Sequence, residues 1–176
     1  MRQCTNKRVR GFSRLELATA IALIGIASAI LLNKVFYYQE MTEKAVMEYT
    51  VISLKSSLRM RMASMMIEGR VQDFGLLAQD NPMHWLEKMP PNYQGELPAL
   101  APDRTRPGNW YFDTVSRTLV YQVRHGDHFR EDASGQKRIR LQVRLVQNAA
   151  ETQQSKDAKP LLANVVLVLL EPYRWF

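Results

Sequence analysis

Two groups of residues in this 176-residue chain are of types that do chemistry. The first is Glu16, a lone carboxylate at the mouth of an apolar run that reaches Leu32 with no charge between Leu17 and Leu32. An ionisable side chain inside a membrane span costs roughly 2.5–3.5 kcal/mol on insertion scales, so it marks a functional site whose partner has to be found. The partner that costs least is a cation. The second group is a polar segment holding His125, Asp127, His128, Glu131 and Asp132, all able to ligate metals. Their spacing matches no metal-binding pattern, and ligands in a solvated loop lack the outer partners that orient them. The segment reads as a polar turn, with no metal expected. The sequence shows no phosphate-cradling glycine loop, no nucleophile elbow and no paired catalytic carboxylates. It points away from an enzyme and calls for no cofactor.

Charge and cysteine usage narrow the classes further. The formal net charge is +7, but Arg2, Lys7, Arg8 and Arg10 lie within the first eleven residues, which hold no acidic side chain. Beyond them 20 basic side chains face 17 acidic ones, a net +3. That excess is too small to imply nucleic acid unless it is gathered on one face, so no nucleic-acid partner is expected. Cys4 is the only cysteine, which excludes an intramolecular disulfide and a multi-cysteine zinc site.

The N-terminal segment reads KRVRG, FSRLE and then LATAIALIGIASAILL. Lys7, Arg8 and Arg10, then Gly11, Phe12, Ser13, Arg14, Leu15, Glu16 and Leu17, and then Ile24-Gly25-Ile26 resemble the leader and mature start of type IV prepilins and pseudopilins. The resemblance covers about the first thirty residues. It implies cleavage between Gly11 and Phe12 by a prepilin peptidase, N-methylation of Phe12, and Glu16 as the fifth mature residue. It also supplies the cation: Glu16 would meet the N-terminal amine of a neighbouring subunit's Phe12. An unpaired buried carboxylate is far worse than a paired one, so such a contact would set subunit register.

The implied product is a structural subunit, a minor pilin or pseudopilin of a type IV pilus or a type II secretion pseudopilus. Its partners would be other pilin or pseudopilin subunits, the prepilin peptidase, an inner-membrane assembly platform and membrane lipid. It would sit in the bacterial inner membrane, N-terminus cytoplasmic and globular domain periplasmic, before entering the fibre. Two positions depart from the pattern. Arg14 stands where the family usually has an apolar residue, and Asn33 where major pilins commonly carry proline. Arg14 can snorkel to the headgroups; the missing proline removes the usual cause of a kink. Both departures fit a minor subunit.

Two other readings of the N-terminus compete. A secretory signal peptide would be cut at Ala27-Ser28-Ala29, but that leaves Ile30-Leu31-Leu32 as a greasy new terminus. An uncleaved signal anchor would tether a periplasmic binding or enzymatic domain. Residues 17–32 rise only about 24 Å at ~1.5 Å per residue, short of a ~30 Å hydrocarbon core. Val35, Phe36, Tyr37 and Tyr38 carry the run to span length. The basic residues before the span put the N-terminus in the cytoplasm for prepilin and anchor alike. Only Gly11, Phe12 and Glu16 separate the two.

The elements that must position these residues follow from periodicity. Met47, Val51, Leu54, Leu58, Met62 and Met65 form one stripe of an amphipathic helix that continues the anchor to about Ile67 and ends near Gly69. Asn81-Pro82 looks like a cap and first position of a short helix to about Lys88, with His84 in a packing role beside Trp85 and Glu87. Pro90, Pro91, Pro98, Pro102 and Pro107 then forbid long regular structure. Residues 109–113 and 118–123 read as a hairpin. Ile139, Leu141, Val143 and Leu145 alternate with Arg140, Gln142 and Arg144, whose polar ends should face water. Residues 164–170 read as a buried strand. Residues 126–137 and 147–159 are hairpin loops, and Tyr173, Arg174, Trp175 and Phe176 an aromatic tail for the sheet or a neighbour. The expected architecture is therefore α+β: a long N-terminal helix packed on roughly four antiparallel strands, which is also the pilin-like fold the resemblance implies. Its divisions are a leader (1–11), a membrane-spanning or fibre-core helix (12–38) and a periplasmic globular domain (39–176).

Overall fold

The computed structural model describes residues 13–100, 104–147 and 163–176. The chain divides into two units, Met1–Gln39 and Glu40–Phe176. One α-helix of 54 residues, α1 (Arg14–Ile67), contributes to both.

In the first unit the helix begins at Ser13, whose Oγ accepts from the Leu15 N–H at 3.3 Å while its carbonyl accepts from the Leu17 N–H at 3.0 Å. Leu15, Ile21, Ile24, Ile30 and Leu31 are all exposed. An 18-residue window here has a mean hydropathy of 2.3 with none of it buried, so the helix is long and apolar enough to cross a membrane.

In the second unit the expected stripe faces the core: Met47, Leu54 and Leu58 are buried, and Val51, Met62 and Met65 pack against them. The helix stops where glycine permits it. Gly69 has φ +71°, its N–H bonds to the Met66 carbonyl at 3.1 Å and the Arg70 N–H to the Met65 carbonyl at 2.8 Å. These two bonds are the Schellman pair that satisfies orphan carbonyls at a helix end. A 3₁₀ turn (Val71–Asp73) and a single turn of helix, α2 (Phe74–Leu77), follow, burying Phe74 and Leu77.

Asn81 does cap: its side chain accepts from the Met83 N–H at 3.0 Å. The turn it starts is a 3₁₀ turn, Pro82–Trp85, shorter than the helix to Lys88 that the sequence suggested. Its packing is also carried by other residues than expected. Pro82, Met83 and Trp85 are buried, whereas His84 is exposed, 3.7 Å from Glu96.

The sheet has five strands in the order of the chain: β1 (Tyr93–Leu97), β2 (Trp110–Asp113), β3 (Thr118–Gln122), β4 (Arg138–Gln147) and β5 (Ala163–Leu169). The β2–β3, β3–β4 and β4–β5 pairs are antiparallel, but β1 runs parallel to β2. This corrects the expectation of about four antiparallel strands. A parallel neighbour needs a crossover rather than a tight turn, and the proline-rich segment after Leu97 provides one. β1 is irregular at Gly95, φ +103°, where the register shifts between Tyr93 and Glu96. Asn81 secures it, its side-chain amide donating to the Tyr93 hydroxyl and to Glu96, both at 2.7 Å.

The core lies between α1 and one face of this sheet, built from Trp110, Phe112, Leu119, Tyr121, Ile139, Leu141, Val143, Val165 and Leu167. In β4 the alternation holds through Val143, but Leu145 is exposed. Arg144 faces water, whereas Arg140 is partly buried and paired with Glu171. β5 is buried on one face only: Val165 and Leu167 point to the core and Val166 and Val168 are half-exposed. An unbroken apolar run is thus a one-faced strand here, because the sheet has no second layer of described residues over β5.

Candidate functional site

Gly11 and Phe12, the expected cleavage and methylation positions, lie outside the described residues. Glu16 stands in the first turn of α1 with its side chain exposed. No ion pair or side-chain hydrogen bond joins it to any described residue, Arg14 included. Ser13 and Glu16 have the S-x-x-E spacing of a capping box, in which an acidic residue at the third helical position complements the cap. A carboxylate in a first helical turn also meets the positive end of the helix dipole. The Glu16 carboxylate makes no bond to the Ser13 N–H, so the box is not closed, and the local contribution of Glu16 is to the helix dipole.

The structure draws a second site from residues the sequence left apart. Glu40 and Glu43 lie one turn apart on α1, and His125 and His128 are three apart in the β3–β4 loop. Glu40 Oε1 accepts from the His128 N–H at 2.8 Å and from the Trp175 indole Nε1 at 2.9 Å, and its Oε2 is 2.7 Å from His128 Nδ1. Glu43 Oε1 accepts from the Tyr121 hydroxyl at 2.9 Å and the Arg124 N–H at 2.7 Å. Its Oε2 accepts from the His125 N–H at 2.7 Å and lies 2.9 Å from His125 Nδ1. Each carboxylate thus takes loop N–H groups that have left the sheet, together with one imidazole. A carboxylate is the acceptor suited to this, since it offers about four lone-pair sites and binds charged donors strongly.

The aromatic tail closes the same site. Trp175 is buried, bridges to Phe129 and meets its ring edge-on at 5.2 Å. The Arg130 N–H donates to the Arg174 carbonyl at 2.9 Å, and Lys44 Nζ donates to the Trp175 carbonyl at 3.0 Å. Of the two roles open to the tail, the structure shows packing within the chain.

Electrostatics follow from burial. Glu40 is only 2 % exposed, and burial works to raise its pKa. The bonds from the His128 imidazole and N–H and from Trp175, with the charge of His128, outweigh it and hold the carboxyl below its ordinary value. Burial, reinforced by the neighbouring Glu43 carboxylate, pushes the Tyr121 phenol far up, so it stays a donor.

The expected polar turn therefore splits into two functions. His125 and His128 go to α1, whereas Asp132 organises the turn itself. Asp132 Oδ1 accepts from the Ser134 N–H and the Gln136 N–H, both at 2.9 Å, and its Oδ2 accepts from Arg138 Nε at 2.6 Å. Asp127 and Glu131 are exposed. Among the described residues no three His, Cys, Asp or Glu side chains are grouped to hold a metal. Glu40 and Glu43 together clasp the 124–128 loop segment, and Glu40 also holds the Trp175 indole.

No family model, curated protein or solved structure matches this chain.

Proposed function

We propose that this chain is a structural subunit, a minor pilin or pseudopilin, of a type IV pilus or type II secretion pseudopilus. The observation that carries the reading is the basic stretch ending in Gly11-Phe12, with Glu16 five residues past the glycine at the head of an apolar helix. The reading rests on this N-terminal pattern and not on the mixed sheet. Two structural facts support it. The large apolar side chains between Leu15 and Leu32 are exposed, so they require lipid or other helices around them. Small residues Ala18, Ala22, Gly25 and Ala29 recur at helical spacing, which permits close helix approach. Gly25 has no atom within 4 Å of where a Cβ would stand.

On this reading the precursor lies in the bacterial inner membrane with residues 39–176 in the periplasm. A prepilin peptidase cuts after Gly11 and Phe12 is methylated. The helix then leaves lipid for the fibre core, where Glu16 gains the Phe12 amine of a neighbour. The protein acts by assembly rather than by catalysis.

The test is the mature N-terminus. Expressed with a prepilin peptidase, the chain should begin at N-methylated Phe12 by mass spectrometry; without the peptidase it should remain whole. A chain left whole in both cases overturns the proposal in favour of a membrane-anchored periplasmic domain. A chain beginning at Ile30 overturns it in favour of a signal peptide.

A further inference from the structure

The two edges of the sheet are built differently. β1 carries devices that discourage further pairing, a register irregularity at Gly95 and the carboxylate of Glu96. β5 carries none. Its residues, Ala163–Leu169, include no charge and no proline, and their register with β4 runs unbroken from end to end. The Leu170 N–H donates to the Arg140 carbonyl at 2.9 Å, which fixes the phase of that antiparallel ladder. Hydrogen-bonded and non-hydrogen-bonded pairs alternate along it, so Val165, Leu167 and Leu169 turn their N–H and C=O groups away from β4. Among the described residues nothing bonds to these groups.

This edge borders a groove. Between α1 and the end of the sheet lies an open space of about 310 Å³, lined by Val51, Ile52, Leu167 and Leu169, with Glu48 and Lys55 also on its wall. Ile52 and Leu169 are exposed despite being apolar. Glu48 faces the Tyr173 hydroxyl. Lys55 is exposed and makes no ion pair or hydrogen bond among the described residues.

Each of these features asks for a different part of one ligand. A row of outward N–H and C=O groups is satisfied by another backbone in extended conformation. Every second side chain of such a strand points to the same face, so alternate residues would enter the groove. The intervening ones would lie beside Val166 and Val168, which are half-exposed on the other face. Lys55 calls for a carboxylate.

We propose that the groove between α1 and β5 binds an extended segment of a partner protein by strand addition, apolar at alternate positions and carrying an acidic side chain opposite Lys55. Main-chain hydrogen bonds supply the affinity, and the groove with Lys55 the selectivity. The β5 strand of a second copy is uncharged and would offer Lys55 no partner. The site lies wholly within residues 40–176 and does not depend on how the N-terminus is processed.

The probe is a blocked peptide as long as β5, with valine at alternate positions, threonine between them and one valine replaced by glutamate. At saturation with the full chain in detergent, it should slow amide hydrogen exchange at Leu167 and Leu169 by about tenfold or more. The amides of Val166 and Val168, which point to β4, should change little. N-methylation of every second peptide amide separates strand addition from apolar adhesion: in one phase it removes the donors facing β5 and should abolish binding, and in the other phase it should leave binding intact. Lys55→Gln should weaken binding about two- to fivefold, the worth of an exposed ion pair, and a peptide with glutamine in place of glutamate should bind both proteins alike. The proposal is overturned by unchanged exchange with the glutamate peptide, by equal binding of the two methylated forms, or by a Lys55→Gln chain that binds the glutamate peptide as well as the wild type does. Leu167 and Leu169 amides already protected before peptide is added would also overturn it. Protection that falls on dilution would assign the edge to a second copy, and protection independent of concentration to a segment of the same chain.

Discussion

The Trp175 indole donates to Glu40 Oε1 at 2.9 Å, joining residues 135 positions apart in the sequence. This bond sits where the β3–β4 loop, the C-terminal residues and α1 converge. It makes Glu40 the single acceptor for a backbone N–H, an imidazole and an indole. Replacing Glu40 by alanine takes the acceptor from the buried Trp175 indole and from the partly buried His128 N–H, while the exposed His128 imidazole can turn to water; each unsatisfied buried group costs roughly 1–3 kcal/mol. We expect Glu40→Ala to lower the unfolding free energy by about 3 kcal/mol, and Glu40→Gln, which keeps one acceptor oxygen, by less. Urea unfolding followed by tryptophan fluorescence measures both. A loss below about 1 kcal/mol for the alanine would show that water replaces the carboxylate at little cost.

Gly69 is the left-handed residue that ends α1, with open space where a Cβ would stand. Its requirement is therefore conformational rather than steric. Gly69→Ala should destabilise the Glu40–Phe176 unit by about 1–2 kcal/mol, the cost of a left-handed conformation for an L-residue. Gly69→Asn should cost less, because asparagine tolerates that region. Thermal or urea melts of the three proteins test the order. Equal stability for alanine and glycine would mean that the helix simply ends elsewhere.

Asp132 is held well below the ordinary carboxylate range. Burial works against this and is outweighed by the hydrogen bonds from Ser134, Gln136 and Arg138. A group whose folded pKa is depressed contributes stability at pH values above its unfolded pKa, about 3.9 for aspartate, and loses it as pH falls toward the folded value. The wild type should therefore lose stability between neutral pH and about pH 3, part of it through this residue. Asp132→Asn should be less stable at neutral pH and lose less on acidification. The difference between the two urea-unfolding profiles against pH isolates the residue; parallel profiles would remove Asp132 from the account.

Much of this architecture is written locally in the chain. The stripe from Met47 to Met65 is periodic enough to set the buried face of α1, and Gly69 marks its end. The hairpin of β2 and β3 is visible because aromatic and β-branched residues cluster on either side of a short polar turn, and β4 because Ile139, Leu141 and Val143 repeat every second position. β1 escapes this reading, since Tyr-Gln-Gly-Glu-Leu offers a glycine at its centre and two polar residues. Its strand identity comes from pairing with β2 and from Asn81 holding Tyr93 and Glu96. The parallel direction is equally non-local, being decided by a crossover rather than by a turn residue. The clasp was the least legible part. Glu40 and Glu43 look like ordinary polar positions on a helix, and His125 and His128 like a solvated turn. Only the matching three-residue spacing hinted that the two pairs meet. Their burial depends on contacts across more than 80 positions, which no local pattern encodes.

Glu16 now carries two physical readings that one substitution separates. As an acidic residue in the first turn of α1, it meets the positive end of its own helix's dipole. On the proposed function, as the fifth residue of a processed chain, it would neutralise a neighbour's amine in the fibre. Glutamine forms helix about as well as glutamate, whereas an ion pair demands charge. Glu16→Gln should therefore preserve helix content by circular dichroism and leave cleavage after Gly11 intact. If the intersubunit pair operates, the same variant should enter fibres no better than Glu16→Ala, because both leave the neighbouring amine unpaired in an apolar setting. Quantifying the processed subunit in sheared or purified fibres decides between them. Normal incorporation of the glutamine variant would remove the charge of Glu16 from fibre assembly and leave the register of the fibre to other contacts.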